Sequence, residues 1–213
     1  MGEAARFWSW FAAHRQTYEA LISGMESGGG GQAPSPAIMS GIERLHDALG
    51  GYDERLKFEF GRDELKRFDL VITANGDADA FDSVFKLVAA APAIPGWVIT
   101  PLKPRRPEAL PAAEVEGQMV SSERFRFHAA PDPDAPGKSV VIVLVDAPDI
   151  DERADLYDQL AYLSVDTQLG ELDSVRLISG VMVVPLDMFR AESGHDGAPI
   201  TELGDAFPPS KAN

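Results

Sequence analysis

The sequence predicts an α+β fold: a mixed β-sheet from two strand–strand–helix–strand halves, with two N-terminal helices packed on it. Three observations predict it. Apolar residues recur at helical spacing near the N-terminus, as Phe7, Phe11, Tyr18 and Ile22, then as Ile38, Ile42, Leu45 and Leu49. From Leu56 a period of two takes over, with Leu56, Phe58 and Phe60 alternating with Lys57 and Glu59. Strand, strand, helix and strand then succeed one another twice, the second helix starting ~70 residues after the first.

The first helix is expected over residues 3–22, where Trp8 and Leu21 widen the apolar stripe. The rings of Phe7-Trp8-Ser9-Trp10-Phe11 fit the buried side of a helix better than a docking face, because rings dominate core burial. Residues 27–35 contain four consecutive glycines and are expected to form a flexible loop. Ser35-Pro36 suits the cap and first turn of a second helix, which Gly50-Gly51 ends.

Beyond the alternating strand, residues 68–74 form a more continuously apolar and hence central strand, and Asn75-Gly76 turns the chain. Asp77 and Asp79 open a helix whose apolar residues are Phe81, Val84, Phe85 and Val88, and Pro92 stops it. A strand over 97–102 leads into a proline-rich stretch. In the second half, Phe125 and Phe127 alternate with Arg124, Arg126 and His128 on a half-buried strand. Residues 140–145 are apolar throughout and predict the most buried strand. A long helix starts near Asp151, with Leu156, Leu160 and Leu163 on one face and Gly170 near its end, and a last strand covers 175–184.

The chain is thus expected to form one domain. It consists of an N-terminal helix over 1–26, the loop over 27–35, a core over 36–186 continuous with that helix, and a polar, loosely ordered tail over 187–213. At 213 residues it is about one and a half times a ~150-residue domain. Two strand–strand–helix–strand halves suggest an internal pseudo-repeat, without residue-level identity between them.

The segments Phe7-Trp8-Ser9-Trp10-Phe11, Leu70-Val71-Ile72-Thr73-Ala74-Asn75-Gly76 and Ala91-Pro92-Ala93-Ile94-Pro95-Gly96-Trp97 resemble a family of uncharacterised bacterial proteins. Leu169-Gly170-Glu171 is similar to that family as well. The resemblance spans residue 7 to about residue 185. It implies a bacterial α+β protein and brings no activity and no catalytic residue with it.

Composition narrows the function. Thirty-four acidic residues against 19 basic ones give a net charge of −15, which argues against nucleic acid and anionic membranes as partners. The absence of cysteine excludes disulfides, thiolate metal sites and cysteine nucleophiles. With neither a signal peptide nor an apolar run long enough to span a bilayer, a cytoplasmic location is expected.

Several short motifs fail on inspection. Pro136-Gly137-Lys138-Ser139 has Asp132 where a phosphate loop needs its first glycine, and a strand follows where a helix is needed. Ser83-Val84-Phe85-Lys86 lacks the companion elements of penicillin-binding enzymes. Asn75, Asp77, Asp79 and Asp82 lack the glycine and glutamate of a calcium loop and are better placed to cap a helix. His14, His46, His128 and His195 show no metal spacing. No catalytic residue, metal site or cofactor is assigned.

Two candidate sites remain. Lys103, Arg105 and Arg106 are concentrated cations that could grip a carboxylate or phosphate, which is the route to an enzyme acting on a small anionic substrate. Asp151, Glu152, Asp155 and Asp158 form the other. Residues 146–173 hold nine acids and one base, a net of −8, whereas residues 55–106 hold nine bases and seven acids. That polarised acidity favours a non-enzymatic interaction or regulatory protein, of inhibitor or immunity type, whose partner is a basic protein.

Overall fold

The structure, a computed structural model, describes residues 2–27, 36–63 and 65–209. It divides into two compact units, Met1–Leu102 and Lys103–Asn213. The cap expected at Ser35 lies outside the described residues, and so does the glycine loop except Ser27, which ends the first helix.

In the first unit, α1 (Glu3–Ser27) and α2 (Pro36–Gly50) precede a three-stranded sheet. Its strands are β1 (Lys57–Arg62), β2 (Phe68–Thr73) and β3 (Trp97–Pro101), in that order. β1 runs antiparallel to β2 with Phe58 opposite Ile72, and β3 runs parallel to β2 with Ile99 opposite Leu70. A parallel neighbour needs a crossover, and α3 (Phe81–Ala89) supplies it. Asn75 and Gly76 both take positive φ, 52° and 88°, and Asp77 N–H closes the turn on the Ala74 carbonyl at 3.1 Å. Asp77 then accepts from the Asp79 N–H at 3.0 Å, as the cap that the acidic cluster predicts.

The rings of α1 are core. Phe7, Trp8, Phe11 and Tyr18 are buried, Trp8 Nε1 donates to the Leu87 carbonyl at 2.7 Å, and Phe11 meets Trp97 edge-on at 5.1 Å. α1 is thereby fastened to α3 and β3, and its aromatic segment is withdrawn from docking. On α3 the buried residues are Phe81, Val84 and Leu87, while Phe85 is exposed. The helix presents its 81–84–87 edge to the sheet, which leaves Phe85 on the far side.

The second unit repeats this connection order. β4 (Ala112–Val115) and β5 (Gln118–Ser121) form a hairpin. β6 (Arg126–Pro131) and β7 (Ser139–Val145) pair antiparallel, and α4 (Ala154–Leu177) crosses over to β8 (Ile178–Pro185), parallel to β7. After Pro185 come α5 (Leu186–Ser193), β9 (Ala198–Pro199) and α6 (Leu203–Ala206), and the sheet order is β8-β7-β6-β9. Each strand–strand–helix–strand half therefore has its own sheet.

Three local expectations change here. Residues 175–177 are helical, since α4 resumes after Gly170 and continues to Leu177. Leu163 is exposed, because the buried side of α4 runs through Tyr157, Leu160, Ala161, Ser164, Val165 and Leu169. The polar segment after Pro185 carries α5, β9 and α6, with Ile200 and Leu203 fully buried. Its composition is polar, but three well-spaced apolar residues, Leu186 among them, suffice to anchor it.

Candidate functional site

The long helix α4 organises every candidate feature of the second unit. At Gly170 it breaks: φ is 70° and ψ is 158°, a region open essentially to glycine alone. A Cβ there would lie 2.9 Å from the Arg105 nitrogen and 3.0 Å from the Lys103 oxygen. The loop carrying Lys103 and Arg105 thus lies directly on the break and satisfies its free backbone groups. Arg106 N–H donates to the Thr167 carbonyl at 2.8 Å, and Glu171 N–H donates to the Lys103 carbonyl at 2.9 Å.

The loop's cations follow its backbone. Lys103 Nζ reaches Asp166 Oδ2 at 3.0 Å, and the Lys103 N–H donates to Glu171 Oε2 at 3.1 Å. Arg105 donates to Asp173 Oδ2 through Nη2 (2.6 Å) and Nε (3.2 Å), and through Nη1 to the Gly204 and Phe207 carbonyls. Glu171 and Asp173 are buried. Lys103 and Arg105, expected as an anion grip, hold the helix's own carboxylates; Arg106 is half-buried.

The acids of the other candidate site behave differently. Asp151, Glu152, Asp155 and Asp158 are all exposed. Asp155, Asp158 and Tyr162 fall at helical spacings of three and four on one face of α4, where Tyr162 is 58% and Leu163 44% exposed. The base among residues 146–173, Arg153, reaches Glu116 at 2.9 Å and Asp149 at 3.3 Å. Pairing of Asp166, Glu171 and Asp173 with the loop therefore concentrates the uncompensated charge at the head of α4.

That head also borders a cleft of about 530 Å³, lined by β5, Arg124, Phe125, residues 145–149, Arg153 and Tyr157. It lies outside the carboxyl end of β7, the place where open α/β sheets bind ligands. Tyr157 donates its hydroxyl to Asp149 Oδ1 at 2.8 Å. Burial first, and the Asp149 carboxylate second, push its phenol up to about 12, so it stays protonated at neutral pH.

Sequence spacing missed one convergence. His128 on β6 and His195 after α5 bring their rings to 5.5 Å, with Phe189 against both. His195 Nδ1 accepts from the Gly197 N–H at 3.0 Å. Nothing in the local sequence around either histidine signals this, because the fold of α5 back onto β6 makes it. Among the described residues no three His, Cys, Asp or Glu side chains gather as a metal-holding group. Nor is any described helix long and apolar enough to cross a membrane. No protein-family model, curated protein or solved structure matches the chain.

Proposed function

We propose that the protein is a non-enzymatic interaction or regulatory protein of the bacterial cytoplasm that docks a basic protein on the outer face of α4. One observation carries this reading: exposed acids Asp151, Glu152, Asp155 and Asp158 run into exposed Tyr162 and Leu163. An aromatic anchor flanked by one sign of charge suits a partner of opposite sign, with charge setting encounter and the ring supplying contact area. An inhibitor or immunity-like role, masking a basic toxin, is the concrete form of the proposal. The occupation of Lys103 and Arg105 by internal carboxylates supports it over an anion-processing enzyme.

The test is comparative capture from lysate of the encoding cell. Wild type, a charge-reversed variant (D151K, E152K, D155K, D158K) and Tyr162→Ala are immobilised, and bound proteins are eluted with salt. A basic protein retained by wild type, released by salt and lost from both variants is expected. Identical retention by all three would remove the proposal.

A further inference from the structure

We infer that the cleft at the head of α4 binds a free amino acid with an apolar side chain. Two charges of opposite sign stand on its rim. Arg124 and Asp146 both line the cleft, and neither side chain has a hydrogen bond or ion pair among the described residues. Both lie just past the end of the β6–β7 ladder, whose last pair is Arg126 facing Leu144: Arg124 closes a 3₁₀ turn (Ser122–Arg124) and Asp146 follows β7 directly.

The other charged groups of the cleft are bonded apart from Arg153 Nη1, which is buried with no hydrogen-bond partner among the described residues. Asp149 takes the Tyr157 hydroxyl and Arg153 Nε, and Arg153 Nη2 takes Glu116. Arg190, whose charge Asp146 feels, is bound to Asp196. The Arg124 guanidinium, Arg153 Nη1 and the Asp146 carboxylate therefore remain to meet a ligand. A guanidinium pairs with a carboxylate in a planar fork, and a carboxylate accepts from an ammonium. Between them Met119, Val120 and Phe125 offer apolar wall, and 530 Å³ falls within the usual size of small-molecule sites. An ammonium, a carboxylate and an apolar side chain on one small molecule describe an amino acid.

Full-length protein is titrated with L-leucine, L-methionine and L-phenylalanine, followed by amide chemical shifts and calorimetry. Two half-probes accompany leucine: 3-methylbutylamine, which lacks the carboxylate, and 4-methylpentanoate, which lacks the ammonium. At least one amino acid is expected to bind with shifts centred on Arg124 and Asp146, and each half-probe about tenfold more weakly. Arg124→Ala should weaken the amino acid and 4-methylpentanoate while leaving the amine unchanged. Asp146→Asn should weaken the amino acid and the amine while leaving 4-methylpentanoate unchanged. Both residues are exposed, so both variants should keep the wild-type amide spectrum away from the cleft. Binding by none of the three amino acids, or binding that neither variant alters, would overturn the inference.

Discussion

The two strand–strand–helix–strand regions share their connections and differ in their crossover helix. Each opens with an antiparallel pair and returns through a helix to a parallel strand. In the first, α3 has nine residues, little more than the crossover requires, and its Phe81, Val84 and Leu87 pack inward. In the second, α4 has 24 residues, is broken at Gly170, and buries Ser164, Gln168, Glu171 and Asp173 beside its apolar residues. The same topology is thus served by an apolar crossover in one unit and by a polar, stapled one in the other. A crossover needs only an apolar stripe; the break and the carboxylates of α4 hold the 103–106 loop in addition. The acidic outer face and the cleft lie at the start of the same helix.

The largest expected effect lies at the break. Gly170→Ala in an unbroken helix would stabilise, because alanine is the better helix former by about 1 kcal/mol. Here it meets backbone on two sides at a φ of 70° and should destabilise by about 4 kcal/mol, combining conformational strain and overlap. Urea denaturation of the full chain decides the sign. A stabilised variant would mean that α4 can straighten, and the contrast with α3 would fall.

Next in size is the contrast between two arginine–aspartate pairs. Arg105 and Asp173 are 20% and 9% exposed in the second unit, whereas Arg55 and Asp53 are 43% and 13% exposed in the first. Removing Arg105 leaves a buried carboxylate without its cation, and Arg105→Ala should cost about 3 kcal/mol. Arg55→Ala should cost under about 1 kcal/mol, since the cation removed is largely exposed and Asp53 keeps the Arg55 backbone N–H and the Ser83 side chain. Equal losses in urea would show that the stapling of α4 contributes no more than a surface pair.

How much of this was legible in the residues depends on whether local pattern or distant partners decide the outcome. The aromatic stripe of α1, the Asn75-Gly76 turn and the apolar run of β7 follow local spacing, and the structure has all three. Leu163 is exposed rather than on the buried face because helical period there admits two apolar faces, and only the neighbouring sheet selects one. Lys103 and Arg105 looked like a ligand grip because their partners, Asp166, Glu171 and Asp173, lie more than sixty positions away. Gly170 was visible as a helix stop. That a loop would lie on it was not, since the close approach is a property of two segments together. The exposed acids at 151–158 were legible because charge density alone, without any partner, keeps them in water.

The smallest predicted effect concerns two buried tyrosines. Burial pushes the Tyr18 phenol up in the first unit, with Arg44 opposing it. Tyr157 in the second unit is pushed up by burial and further by the carboxylate that accepts its proton's hydrogen bond, to about 12. An unfolded tyrosine titrates near 10. Between about pH 10 and pH 12 the unfolded chain releases this proton while the folded chain keeps it, so the contribution is complete below 10 and is lost as pH rises through 12. Tyr157→Phe should therefore remove about 2 kcal/mol of the stability loss that wild type suffers across that window. Tyr18→Phe, which has no carboxylate to relieve, should remove less. Urea midpoints of wild type and both variants at each end of the window measure the difference, and comparison with wild type cancels the titration of lysines common to all three. A Tyr18 variant flatter than the Tyr157 variant would place the stronger proton hold in the first unit and reverse the contrast between the units.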